Sequence, residues 1–303
     1  MEIYQLKAFV TVAELGHLTK AAEKLHLSQP ALSGQIKALE DELGVSLFTR
    51  SPAGMRLTRA GQRLLGEAHS LLSGTQQFKN IARGLQGELQ GNTRVGTVSD
   101  PATLRLGEFL THMVDDHPLL EIDLHQEVSG LALDKVRDGA LDASFYFGDE
   151  PRAPLVGRRL RSMVYRVVAP AGWRARIEAA DWDGIAAMPW IMTPEQSTHR
   201  HMLTALFRDK KRQPRRVAEA DQEQVITSLV VSGVGLSLVR EEVALRERDA
   251  GRLVIWDTAR AETALWFAYP LERATDPVIA AMLGVLATLW QAEPAPAVTE
   301  SAD

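Results

Sequence analysis

Apolar residues recur at helical spacing along the first 45 positions of the chain. Leu6, Phe9, Val10 and Ala13 form one stripe, Leu18, Ala21, Ala22 and Leu25 a second, and Leu32, Ile36, Leu39 and Leu43 a third. Each follows the i, i+3, i+4, i+7 rhythm, or its continuation, that turns one face of a helix into a core. His26 to Ser28 reads as the turn between the second and third helices. Ser28 stands at an N-cap position, and Pro30 is tolerated in the first turn because the N–H it lacks would be unpaired there anyway. The later helix then starts with Ser28, Gln29, Pro30, Ser33 and Lys37 on its polar side, and Thr19 opens the helix before it. Short donors and acceptors at such a start reach base edges and phosphates when the helix lies in a major groove, with Gln29 the first choice for base readout. The same spacings also describe an ordinary helical hairpin with a solvated face.

The flanking segments favour the first alternative. Leu47-Phe48 and Met55-Arg56-Leu57-Thr58 bracket Pro52-Ala53-Gly54, a turn signal between two strand-like pieces that makes a wing. Beyond it Leu64, Ala68, Leu71, Thr75, Phe78, Ala82, Leu85 and Leu89 alternate spacings of four and three. That heptad seam suits pairing with a second copy of the helix, which would set two recognition helices at a fixed separation. One helix packed on its own domain is the alternative, since Gly74, Gly84, Gly87 and Thr75 weaken the seam.

After Asn92 the pattern changes to strands alternating with helices. Strands over 94–98, 121–126 and 141–147 alternate with helices over 102–115 and 131–138, a βαβαβ unit with a parallel sheet. A second cycle has strands over 164–169, 190–192, 216–220 and 235–239 with helices over 200–210 and from Gln222. A strand over 264–269 and a helix over 276–290 follow. Ligands of such sheets bind beyond the carboxyl ends of strands, where helix N-termini point their N–H groups. Ser99-Asp100-Pro101, Ser129, Phe147 and the segment from Thr193 through Pro194 and Gln196 to Thr198 occupy such ends. The helix dipoles there favour an anionic or strongly accepting ligand such as a carboxylate. Asp100 either caps its helix or faces the ligand and receives a hydroxyl, amine or amide.

Composition narrows the function classes. The chain has 303 residues, 45% of them hydrophobic, enough for two or three compact units. Zero cysteine excludes disulfides, thiolate metal sites and cysteine nucleophiles. Net charge is −5, but residues 1–91 carry 10 Lys+Arg against 8 Asp+Glu, a balance of +2 that leaves −7 for the remainder. The asymmetry has the sign DNA binding needs and is small, so that reading rests on the motif. The apolar stretch over 225–239 is too short to span a membrane, and a soluble, cytoplasmic protein is expected. His199 and His201 at i, i+2 share no helix face and do not make a metal site. No nucleophile elbow, phosphate loop or zinc-protease signature occurs, so no catalytic residue, cofactor or enzyme activity is expected. The basic run from Lys210 to Arg216 reads as a solvated face.

The stretch FVTVAELGHLTKAAEKLHLSQPALSGQIKALEDELGVSLFTR, followed by RLTRAGQ, closely resembles the LysR-type transcriptional regulators of bacteria. The resemblance implies an α+β multidomain protein: a winged helix-turn-helix over 1–58, a linker and dimerisation helix over 59–91, and a two-lobed α/β effector domain like the periplasmic binding proteins. Lobe 1 would comprise 92–163 and 266–292, lobe 2 164–265, and 293–303 a disordered tail. The wing departs from the family pattern, with Pro52 and Ala53 in place of basic residues, so either Arg50 and Arg56 make its phosphate or minor-groove contacts or that contact is weak. A small-molecule effector between the lobes is implied, with Ser99 or Asp100, Ser129, Pro194 and Gln196 at matching positions. A double-stranded operator, a homodimer or homotetramer, and RNA polymerase are the implied partners. Alternatives are a redox input through exposed Met192 or Met202 and, more distantly, a small-molecule binding protein or α/β enzyme.

Overall fold

The computed structural model describes residues 1–51, 54–84, 89–98, 101–210 and 212–290. The expected wing tip Pro52-Ala53, the seam residue Leu85, the site residues Ser99 and Asp100, Lys211 and the expected tail lie outside them.

Helix α1 (Ile3–Leu15) packs on α2 (Leu18–Lys24) and α3 (Gln29–Leu43). Their stripes meet in one core, where Leu6, Phe9, Ala21, Ala22, Leu32, Ile36 and Leu39 are buried. Burying each large side chain contributes about 1.5–3 kcal/mol. The hairpin β1 (Phe48–Ser51) and β2 (Gly54–Leu57) closes that core, with the Phe48 ring 5.6 Å from that of Phe9. Glu40 fixes the approach of the wing by accepting the Leu47 and Phe48 amides at 2.6 and 3.2 Å.

The long helix α4 (Arg59–Gly84) leaves this unit. Its predicted seam divides in two. Leu64 and Ala68 pack into the helix-turn-helix core, whereas Leu71, Phe78 and Ala82 are exposed, Phe78 at 75%. Leu89, beyond the helix, packs against the effector core instead.

Strands β3 (Gln90–Thr97), β4 (Leu119–Gln126) and β5 (Ala143–Gly148) alternate with α5 (Leu106–Asp116) and α6 (Ser129–Arg137). All three strands are parallel, in the order β4-β3-β5. Helix α5 begins at Leu106, not at Ala102, because Arg105 at its N-cap takes a left-handed backbone with φ 48°. The second lobe holds α7 (Arg174–Glu178), α8 (Trp182–Ala187), β7 (Pro189–Met192), α9 (Thr198–Arg208), β8 (Arg215–Glu219), α10 (Glu223–Val231), β9 (Ser237–Arg240) and α11 (Glu241–Asp249). Here β7 lies parallel to β8 and bridges in parallel to Leu236 beside β9, which repeats the topology of the first lobe.

Two long antiparallel strands, β6 (Leu155–Pro170) and β10 (Leu253–Pro270), join the lobes. Strand β10 pairs with β5 from Ala264 to Ala268, while β6 pairs with β9 from Tyr165 to Val168. Register shifts between Trp256 and Arg260 and between Leu265 and Trp266 flank the stretch that passes from lobe to lobe. Such irregularities bend and twist a strand, as that passage requires. Helix α12 (Pro277–Leu289), capped by Asp276, then returns to pack on α5 in lobe 1, whose core is the ring cluster Phe109, Phe145 and Phe267.

Candidate functional site

The amino end of α3 is exposed, and its geometry is fixed locally. Ser28 Oγ accepts the Ala31 amide at 3.3 Å, which caps the helix, and Pro30 occupies the first turn. Thr19 Oγ1 donates to Gln29 Oε1 at 3.4 Å, so the start of α2 holds the Gln29 amide with its two N–H donors free to face a ligand. Ser33, Lys37 and Arg50 line one concavity between α3 and the wing. Arg56 does not join them. In the hairpin Arg50 pairs with Met55 and Thr49 with Arg56, so the two arginines project from opposite faces.

In the effector domain the carboxyl ends of β3, β5, β7 and β8 and the starts of α6, α9 and α10 converge on a cavity of about 450 Å³. Of the expected residues, Ser129, Phe147 and Thr193 line it. Pro194 and Gln196 do not. The chain turns outward after Thr193 to start α9, which leaves Gln196 exposed; its carbonyl oxygen instead accepts the Gly130 amide of the opposite lobe at 3.1 Å. Sequence reasoning missed Gln126, Tyr165, His199, Met202, Asp221 and Glu223, which also line the cavity. Asp221 and Glu223 flank the start of α10, a strand-to-helix junction in the second βαβ cycle, and that position was the available signal.

The polar wall of lobe 2 is satisfied internally. Arg200 N donates to Ser197 Oγ at 3.2 Å, Ser197 Oγ donates to Thr193 Oγ1 at 2.6 Å, and Thr193 Oγ1 lies 3.4 Å from His199 Nδ1. His199 Nε2 in turn lies 2.7 Å from the Leu238 carbonyl oxygen, an acceptor that fixes the proton on Nε2. Burial pushes the His199 pKa down to about 4, so the ring is neutral at pH 7. Burial also raises the Tyr165 pKa, and its ring meets His199 edge-on at 5.9 Å. Ser129 Oγ accepts the Phe147 amide at 3.1 Å, and Thr198 Oγ1 donates to the Phe147 carbonyl across the cleft. Glu223 accepts the Arg240 amide at 2.8 Å and pairs with its guanidinium, which also reaches Thr103 of lobe 1.

Lobe 1 is also tied to α4. Asn80 Nδ2 donates to Asp276 Oδ2 at 3.4 Å, and Arg273, 1% exposed, bridges Asp276 and Asp142. At the far end of α6, Gly139 lies against the backbone of His69.

One expectation is corrected. Met192 and Met202 are buried, Met192 beneath the Arg200 guanidinium and Met202 against the cavity, so neither is an exposed oxidation target. The described residues of the basic run are largely exposed, as a solvated face requires, and it is neutralised in part, since Arg212 pairs with Asp183 at 2.8 Å and Arg216 with Glu219 at 2.7 Å. Among the described residues no helix is long and apolar enough to cross a membrane.

Residues 3–62 match the bacterial regulatory helix-turn-helix protein family of lysR type, and residues 86–291 match the LysR substrate binding domain. The chain belongs to the LysR family. It is a DNA-binding transcriptional regulator with an effector domain, not an enzyme. Among LysR-type relatives it is 31% identical over 271 residues to the regulator IlvR of Caulobacter vibrioides, covering 88% of this chain and 91% of that protein. It is 29% identical over 249 residues to the nitrogen assimilation regulatory protein nac of Klebsiella aerogenes, covering 80% of each. The crystal structure of ArgP from Mycobacterium tuberculosis shares the LysR fold at a TM-score of 0.68 and 21% identity, over 95% of this chain and 97% of that one.

Proposed function

We propose that this regulator binds a two-fold related operator as a homodimer, and that a small molecule between its lobes changes how the two DNA-binding units are spaced. Base readout falls to Gln29 with Pro30 and Ser33, oriented by Thr19. Phosphate contact falls to the α3 amino end at Ser28 and to Lys37, Arg50 and Arg56. The exposed face of α4 at Leu71, Thr75, Phe78 and Ala82 pairs the copies, and pairs of such dimers make a tetramer. Residues 1–58, 59–91 and 92–292 act as reader, connector and sensor in the cytoplasm, where RNA polymerase is the downstream partner. Ser129, Phe147 and Thr193 contact the effector.

The observation that supports this reading is the placement of α6. Its first residue, Ser129, lines the cavity, and the turn after its last residue, at Asp138 and Gly139, abuts α4 at Gly66 and His69. One rigid helix of nine residues, about 13 Å long, therefore touches both the cleft and the connector. A ligand that favours one lobe arrangement biases the connector through it, by as much as its affinity differs between arrangements.

The experiment is selection of bound sequences from a random duplex library by the full-length protein, followed by footprinting. Two related half-sites separated by about one helical turn or a multiple of it are expected. A single half-site protected by a monomer would overturn the dimeric reading.

A further inference from the structure

Helix starts around the cleft suggest an anionic effector, but the side chains that line it argue otherwise. Among the described residues the lining contains no lysine or arginine and two carboxylates, Asp221 and Glu223. His199, the remaining ionisable base of the wall, is neutral and has both ring nitrogens engaged. Two hydroxyls of the lining are spent: Ser197 donates to Thr193, and Thr198 donates to the Phe147 carbonyl. Glu223 is matched by Arg240. Asp221 at the rim has no hydrogen-bond or ion-pair partner among the described residues, so its charge is uncompensated. An anion entering here meets like charge, whereas an ammonium group meets a carboxylate acceptor. The opposite wall is mainly apolar, with Val98, Leu106, Leu124 and Phe147 facing the space beside Thr97, Gln126 and Ser129.

We infer that the effector is an organic monocation, an amine on an apolar body, whose ammonium group sits at Asp221 while its body lies against Leu124 and Phe147. This rests on the proposal that the cleft is the effector site, and its test separates the two.

The full-length protein is screened by thermal shift against a skeleton-matched library in which every skeleton is present as its primary amine, its alcohol and its carboxylate. Hits are then titrated calorimetrically. Amines are expected to dominate the hits and to bind roughly tenfold or more tightly than their carboxylate partners, the scale of exchanging repulsion for attraction at one carboxylate. Asp221→Asn, at an exposed rim position, should remove that gap and leave the alcohols unaffected. Leu124→Trp, also at a partly exposed position, should fill the cavity and abolish binding of every class. Carboxylates that bind best and are lost in Leu124→Trp overturn the amine class while the cleft stands. Hits that survive Leu124→Trp overturn both readings. A library in which no amine stabilises the protein, or an amine preference unchanged in Asp221→Asn, also overturns the inference.

Discussion

The backbone amide of Gly130 donates to the carbonyl oxygen of Gln196 at 3.1 Å, a direct hydrogen bond between the first turn of α6 in one lobe and the turn before α9 in the other. A Cβ at position 130 would lie 2.5 Å from that oxygen. Gly130→Ala should therefore force the lobes apart at this edge. Overpacking of this kind costs about 1–3 kcal/mol, charged here to the closed arrangement and not to the fold. Small-angle scattering should report a more open effector domain, and the amide at position 130 should exchange faster. Unchanged scattering and exchange would show that the contact does not hold the lobes together.

Gln29→Ala should weaken binding to the selected operator by about 1–3 kcal/mol and leave random DNA unaffected. Thr19→Val should give part of the same loss, because Thr19 reaches Gln29 at 3.4 Å and orients its amide. Fluorescence anisotropy on both duplexes makes the comparison. Equal losses on specific and random DNA would assign Gln29 to the backbone instead of the bases.

Phe78 stands 75% exposed on a helix whose opposite side is engaged with lobe 1 through Asn80 and Gln77. Phe78→Glu should convert a dimer to monomer in sedimentation, since each copy loses the burial of a large ring, about 1.5–3 kcal/mol, and gains a repulsive charge. The melting temperature at low concentration should change little. A variant that sediments as wild type places the pairing face elsewhere.

Acid should destabilise the protein in two ranges. The His199 pKa falls to about 4 because burial disfavours the charged ring, so the unfolded chain binds the proton first. Stability is complete above the unfolded value of about 6.5 and falls as pH drops towards 4, by on the order of 3 kcal/mol. Burial alone would raise Asp142, but Arg94 and Arg273 outweigh it and hold its pKa below the ordinary value. Its contribution is present above the usual carboxylate pKa and is lost as pH falls below about 4. Denaturant titrations across pH 3–8 should show both ranges, and His199→Gln should remove the upper one. Asp142→Asn should cost about 1.5–3 kcal/mol at pH 7, because Arg94 and Arg273 lose a charged acceptor while Asp276 still pairs with Arg273.

The helices of the DNA-binding unit were legible because their stripes are long and regular, and Ser28 with Pro30 marked the start of α3. The two βαβαβ cycles were legible for the same reason. Helices α7 and α8, of five and six residues, are too short to show a period, and α11 carries the polar sequence EEVALRERD with Ala244 and Glu247 as its buried positions. In the cleft, Ser129 and Thr193 were found from their places at element ends. Pro194 and Gln196 share that local signal and fail, because the chain turns away after Thr193.

The sequence by itself determined the longer periodic helices and strands, the order of the units and the polar start of the recognition helix, since periodicity and caps act between residues close along the chain. Tertiary structure alone decided that the first two seam residues, Leu64 and Ala68, are consumed by their own domain, that Arg50 and Arg56 part company across the hairpin, and that Asp221 and Glu223 reach the cleft without a lysine or arginine on its described wall. Those outcomes depend on which distant residues meet, and so do the desolvation and charge pairing that set the chemistry of the site.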